Sequence, residues 1–415
     1  MISDPKEFIH QMCFEAIAAV DPLKIIPPYL DKTGFDKNKS YKIIGAGKAS
    51  AAMALAFEHV LGVDNVEGIV VTRYGYGVKT EKIKIIEASH PVPDAFGMKA
   101  ADEVIDFLKN CDEEDHIIAI ISGGGSSLLS KPAPCLSFEE KQFINKQLLN
   151  SGASIHEINT VRKHISAVKG GGLKRFIGKA KLTTFIVSDV TGDVPNMIAS
   201  GPTLSDPSTQ GQALAVIEKY DIKVSDEVIA WLNDPENETD KTKEMEDVHV
   251  IATGKTSLEA AKYYAEKQGV KVIDLGDEIE GDAGDVAREQ ISKIKAYDDA
   301  LPVAFISGGE TTVKVQMGGK GGRNAHYILS SLIESKGADN LYAAAIDTDG
   351  IDGSEDNAGA FFTPMTYKKA QEDHVDLSQA LEITNSYDVL RKLGCLITTE
   401  PTYTNVNDFR VLLKI

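Results

Sequence analysis

The sequence has no Cys-x-x-Cys pair; its four cysteines, Cys13, Cys111, Cys135 and Cys395, lie far apart. That spacing excludes a disulfide framework and a cysteine zinc site, and it points to free thiols in a reducing compartment. No apolar run reaches membrane-spanning length, and the opening Met1-Ile-Ser-Asp-Pro-Lys-Glu7 lacks the basic-then-apolar order of a signal peptide. A soluble, cytoplasmic protein is expected. Positive charge is scarce: 44 Lys and Arg stand against 62 Asp and Glu, a net charge of −18. So acidic a surface repels nucleic-acid phosphates and anionic lipid, so neither nucleic acid nor membrane is expected as a partner. An anionic ligand has to be captured by a local basic pocket. The nine histidines contain no His-x-x-x-His pair, so His164 and His326 read as structural. Gly-x-Ser-x-Gly is also missing, and no Ser-His-Asp hydrolase is suggested.

What is present is globular composition, 42% hydrophobic and 26% charged, in 415 residues, too long for one ordinary core. Helices are expected over residues 5–20 (capped by Ser3), 49–60, 95–109 and 160–168. Between and beyond them, strands are expected at 41–44, 68–72, 83–88, 116–122, 182–187, 248–252, 270–275, 303–307, 341–346 and 409–413. The near-continuous apolar run Ile117-Ile-Ala-Ile-Ile121 suits a parallel sheet covered on both faces. The charged stretch 233–247, nearly devoid of apolar residues and containing Pro235, is the expected linker. It divides the chain into residues 1–236 and 237–415.

Four constellations carry chemistry. Gly318-Gly-Lys320-Gly-Gly-Arg323-Asn324 puts four glycines and two cations ahead of a helix expected from Asn324 to Leu332. Unscreened N–H groups, a helix N-terminus and positive charge suit phosphate or carboxylate. Gly45-Ala-Gly-Lys48-Ala-Ser50 follows a strand and opens a helix, with Lys48 as a mobile point charge. It is no Walker A loop, since Lys42 stands where the first glycine belongs, and it reads equally as a tight turn with a solvated lysine. Ser122-Gly-Gly-Gly-Ser-Ser127 lies at a strand's carboxyl end, where open α/β sheets bind ligands. Asp189, with Thr191 and Asp193 close by, follows the strand 182–187. It suits magnesium or a general base, whereas Asp193 also suits a simple turn. Asp347, Asp349 and Asp352 superficially match a calcium loop but lack its later glutamate. Glycine-rich anion sites, cations and oxygen ligands at strand ends fit phosphoryl transfer best.

The motifs at 45–50, 122–127, 159–163, 188–193, 200–202, 307–310, 321–324, 347–352 and 404–408, in this order, resemble the class II glycerate kinases, whose C-terminal domain is called MOFRL. The resemblance implies an α/β fold of two domains, an N-terminal Rossmann-like parallel sheet flanked by helices and a C-terminal α/β MOFRL domain, with the active site in the cleft between them. It implies transfer of the γ-phosphoryl of ATP to D-glycerate, most often at the 2-hydroxyl, with Mg2+. The family's catalytic lysine and arginine fall on Lys48 and Arg323. Asp189 is expected to assist them. Lys48, Arg323, Ser50 and Asn407 are the expected substrate contacts. Gly123, Gly124, Gly125, Ser126, Ser127 and Lys163 are expected to hold the nucleotide. Asp189, Asp193 and Glu310 are the expected metal ligands. The tail carries Pro401-Thr-Tyr403-Thr where the family often has Gly-Pro-Thr-Gly-Thr. The competing readings are 3-hydroxyl regiochemistry, a hydroxypyruvate reductase, and a non-catalytic sugar-acid or nucleotide sensor. Both a monomer and a homo-oligomer remain open.

Overall fold

The computed structural model describes residues 2–242, 245–316 and 318–415. The chain forms two compact units, Ile26–Ile251, and Met1–Ile25 together with Ala252–Ile415. This partition departs from a break between residues 236 and 237 at both ends of the first segment. The opening helix Pro5–Ala18 buries Phe8, Ile9, Met12, Cys13 and Ala16 in the core of the C-terminal segment. Its apolar stripe finds no complement in its own neighbourhood and is covered by residues distant in sequence. Asp4, rather than Ser3, caps this helix, accepting from the Glu7 N–H at 3.1 Å.

The first unit holds a six-stranded sheet of β1 (Tyr41–Ala46), β2 (Val66–Arg73), β3 (Ile83–Ala88), β4 (His116–Ser122), β5 (Lys181–Val187) and β6 (Asp247–Ala252). Their order is β3-β2-β1-β4-β5-β6, and the pairings from β3 through β5 are parallel. This is the Rossmann order, as the family resemblance implies; the apolar β4 run by itself pointed to a covered parallel sheet. The chain winds outward from β1 to β3, returns, and continues on the other side from β4. Loops leaving β1 and β4 therefore diverge and open a crevice at the strands' carboxyl ends. The strand at 248–252, expected beyond the linker, is β6 of this sheet.

The expected linker is bonded to the same unit at several points. The Asp240 carbonyl accepts from the Asp206 N–H at 2.8 Å, and its carboxylate receives Lys174 Nζ at 2.6 Å. Glu238 meets His164 Nε2 at 2.9 Å. Its charges are matched by partners on the unit, which polar composition alone does not reveal; Lys243 and Glu244 lie outside the described residues. The helix expected at 160–168 instead spans Ile155–His164, started by a Ser154–Glu157 capping box.

The second unit holds β7 (Lys271–Asp274), β9 (Val303–Ser307), β11 (Leu341–Asp347), β12 (Gly359–Phe362), β13 (Leu396–Ile397) and β14 (Asp408–Lys414), with a separate short pair, β8 (Gly281–Asp282) and β10 (Thr311–Thr312). The main order is β13-β12-β11-β14-β9-β7, antiparallel except for β7 with β9. The helix Arg323–Ser335 covers this sheet, burying Tyr327, Ile328, Leu329 and Leu332 in its core. Among the described residues, no helix is long and apolar enough to cross a membrane. All four cysteines are free thiols.

Candidate active site

At the crevice of the first unit, the turn after β1 is locked to the loop after β4. Lys48 N–H donates to the Gly123 carbonyl at 2.8 Å, and Ala49 N–H donates to Ser122 Oγ at 3.0 Å. Gly47 adopts φ +146°, and a Cβ there would lie 2.1 Å from Ser122 Oγ, so only glycine permits this approach. The Lys48 side chain, half-buried, runs past Gly124, whose missing Cβ would sit 3.4 Å from Lys48 Cγ. Lys48 and the Gly123–Ser127 loop are thus brought together as expected. Ser126 Oγ lies 3.0 Å from Ser200 Oγ.

Ser50 occupies a different place. It is fully buried, with its hydroxyl 3.1 Å from the Ile120 carbonyl and 3.3 Å from Ser122 Oγ. It fastens the helix start to β4 and presents nothing to a substrate, because the close β1–β4 contact turns its side chain inward.

Two further segments complete this side. Ala199, Ser200 and Gly201 all have positive φ, at 51°, 61° and 58°. For the first two residues that conformation costs of order 1–3 kcal/mol each, a strain that folds keep where geometry is over-determined. The segment lies against the glycine loop: a Cβ on Gly125 would meet the Ala199 Cβ at 2.7 Å. Below it, the buried Lys169 donates to Ser126 Oγ at 2.8 Å and to the Ser126 carbonyl. Sequence reasoning chose Lys163 for the nucleotide, but Lys163 is buried in an ion pair with Asp206 at 3.1 Å. Burial raises the Asp206 pKa, Lys163 and the Ser208 donors outweigh it, and the net shift is downward. Truncating one member of such a pair strands the other charge. Lys163→Met is expected to cost about 3–5 kcal/mol by denaturant unfolding with little change in KM for ATP.

Asp189 follows β5, whose Val187 pairs with Ser122, so it leaves the sheet beside the glycine loop. Asp193 sits in a turn at φ 51°, its N–H donating to the Val190 carbonyl. Among the described residues, no three His, Cys, Asp or Glu side chains are grouped to hold a metal. Glu310, expected with Asp189 and Asp193 as a metal ligand, lies in the second unit and receives Arg323.

The second unit builds its own cluster around Arg323. Asp347 and Asp408 are directly opposed across β11 and β14. Like charges so placed repel unless a cation intervenes. Arg323 supplies it: Nε donates to both Asp408 oxygens at 2.9 and 3.0 Å, Nη2 to Asp347 at 2.9 Å and Nη1 to Glu310 at 2.7 Å. Burial opposes the guanidinium charge, but Asp408, Asp347 and Glu310 outweigh it and raise the pKa well above the ordinary value. Asp408 also accepts from Asn324 Nδ2 at 2.7 Å and from the fully buried Arg410. From the sequence Asp408 stood out only as the end of the 404–408 motif, with no role assigned, and Arg410 did not stand out at all. The available signal was two charges two residues apart, hence on one face, in an otherwise apolar strand.

The glycine run before Arg323 is already occupied. The N–H groups of Asn324 and Ala325 do hold an anion, but it is the chain's own Asp352, at 2.9 and 2.7 Å. Burial pushes that carboxyl up to about 6 despite both donors. Gly319, Gly321 and Gly322 are small because Thr384, Ser386 and Asp352 press on them, with Cβ contacts of 2.5, 2.2 and 2.3 Å. The helix N-terminus attracts negative charge as physics demands; an internal aspartate arrives first. Asn407, at φ 66°, precedes Asp408, and its carbonyl accepts from the Thr348 N–H and hydroxyl. Tyr403 adopts φ 55° where the resembled family often has glycine.

The chain is similar to known proteins over nearly its whole length. A family model described as a domain of unknown function (DUF4147) matches residues 8–233, and the MOFRL family model matches residues 303–408. A "Putative hydroxypyruvate reductase" from Agrobacterium vitis is 44% identical over 89% of this chain and 86% of its own length. A "Glycerate 2-kinase" from Pyrococcus horikoshii is 38% identical over 99% of this chain and 97% of its own. The crystal structure of a glycerate kinase from Thermotoga maritima superposes with a TM-score of 0.90 at 36% identity, covering 99% of both chains. The chain belongs to the class II glycerate kinases, the family that carries the MOFRL domain.

Proposed function

We propose that this protein transfers the γ-phosphoryl group of ATP to the 2-hydroxyl of D-glycerate, giving 2-phospho-D-glycerate and ADP. The observation that carries the reading is the pairing of Lys48 with the Gly123–Ser127 loop at the divergence of β1 and β4. Phosphoryl transfer asks a protein mainly to position its reactants and to neutralise oxygen charge. The loop's N–H groups with Ser126 and Ser127 would cradle the phosphates, and Lys48 would offset charge on the transferring group. In the transfer the acceptor oxygen bonds to the γ-phosphorus, the bridge to ADP breaks with its electron pair going to the ADP oxygen, and the hydroxyl proton is released to solvent. Three of the five N–H groups of Arg323 serve its carboxylates, so two remain to orient the glycerate carboxylate, with Asn407 beside Asp408.

Magnesium takes one or two carboxylates, keeps several waters and binds mainly through substrate phosphates, so the lack of a three-carboxylate group does not conflict with it. Asp189, beside the phosphate loop, fits that donor set and would hold the ion, whose charge would offset that of the phosphates.

The Agrobacterium relative's name favours a second reading, reduction of hydroxypyruvate. The crevice argues against a dinucleotide there. The third glycine position of Gly-x-Gly-x-x-Gly is the buried Ser50, and β2 ends in Thr72-Arg73 with no acid for the ribose. Glycerate-dependent ADP release, with an NMR spectrum of the product showing phosphate on O2, is expected. Consumption of NADH with hydroxypyruvate and no ADP release would replace the proposal with a reductase, and phosphate on O3 would correct its regiochemistry.

A further inference from the structure

A cavity of about 600 Å3 adjoins the glycine loop within the first unit. Gly124, Ser126 and Ser127 form one end, and Lys141, Lys146, Arg162 and Lys169 contribute four cations. None of its lining residues is an aspartate or glutamate. In a protein of net charge −18 that is a concentrated exception. The larger cavity of this unit, about 960 Å3, is different, because its Lys174 is already paired with Asp240 and Glu246.

Two of the four cations are almost wholly buried. Lys141 Nζ donates to Ser130 Oγ at 3.2 Å and to the Lys131 carbonyl at 3.1 Å, and Lys169 Nζ donates only to Ser126. Arg162 Nε donates to Asn145 at 3.0 Å. Among the described residues, none of the three has a carboxylate within ion-pair distance. Burying unpaired charge is expensive, so a fold that keeps three cations around one cavity needs an anion to complete it. Burial, then Arg162, brings the Lys141 ammonium down to about 7, as an uncompensated site should. The lining also carries exposed apolar side chains: Val92 and Leu149 are 65% and 63% exposed.

We infer that this cavity is the nucleotide's site, with Lys141, Lys169 and Arg162 holding the polyphosphate and the Val92–Leu149 wall holding the nucleoside. This rests on the ATP-dependent reading above and assigns to it residues that replace Lys163. The polyphosphate enters beside Ser126, so its terminal group lies toward Gly124 and Lys48.

Titration calorimetry on the full-length protein with ATP and with inorganic tripolyphosphate tests the site without turnover. Lys141→Met and Lys169→Met are each expected to weaken both ligands about tenfold or more, the scale of a charge-assisted hydrogen bond. KM for glycerate should stay within about twofold, and Lys141→Arg should recover most of the affinity, which a packing role would not. Val92→Asp, at an exposed position that folding tolerates, is expected to weaken ATP more than tripolyphosphate. Wild-type affinity for both ligands in both methionine variants would overturn the assignment; should either fail to fold, unchanged ATP affinity in Val92→Asp would do the same. Normal tripolyphosphate binding that these variants abolish, in a protein that never phosphorylates glycerate, would support the site and refute the glycerate reading.

Discussion

Lys48→Ala is expected to lower kcat for glycerate phosphorylation by about 10²–10³-fold, the typical loss when one preorganised charge-stabilising donor is removed. Folding should survive. The backbone N–H of residue 48, which ties the β1 turn to Gly123, persists in the variant, and the side chain is only half-buried. Stability is therefore expected to change by less than about 1 kcal/mol. Because Lys48 acts on the transferring group, the loss should fall on kcat more than on KM for glycerate. A coupled ADP assay beside a thermal melt checks both halves, and near-normal turnover in a folded variant would remove Lys48 from the mechanism.

Arg323→Ala should behave differently, losing activity and stability together. The guanidinium is the common partner of Asp347, Asp408 and Glu310, and the first two are buried and opposed across β11 and β14. Asp408 keeps its pair with Arg410, but losing the cation that all three carboxylates share costs about 3–5 kcal/mol, by analogy with other broken buried pairs. Inactivity of the alanine variant alone would therefore say little about catalysis. Arg323→Lys separates the roles. A lysine restores charge but not a planar fork with spare N–H groups, so most of the stability is expected back while kcat/KM stays at least about tenfold down. Recovery of full activity in the lysine variant would make Arg323 a structural cation only.

Much of the architecture was legible because its signals are local. An apolar run such as Ile117–Ile121 followed by glycines can only be a covered strand and its exit loop, and β3, β4 and β9 occupy the residues expected for them. Alternation of such strands with helices led to a parallel sheet, and ligand loops at carboxyl ends followed from that. Lys48, the Gly123–Ser127 loop and Asp189 fall at adjacent strand ends for this reason.

The rest depended on partners far apart in the chain. Lys163 and Lys169 are alike on paper, one on a helix and one before a glycine run; only the fold delivers the first to Asp206 and the second to Ser126. The unit boundary moved because the apolar stripe of Pro5–Ala18 is covered by residues beyond Ala252. The glycines before Arg323 announced an anion, correctly in kind, since helix N–H groups and small residues make such a site wherever they occur. Which anion occupies it was a tertiary matter: the β11 loop carries Asp352 to within 3 Å of Asn324 and Ala325 before any ligand can arrive. Residue pattern decided where charge would be welcome, and chain packing decided which welcomes were already taken.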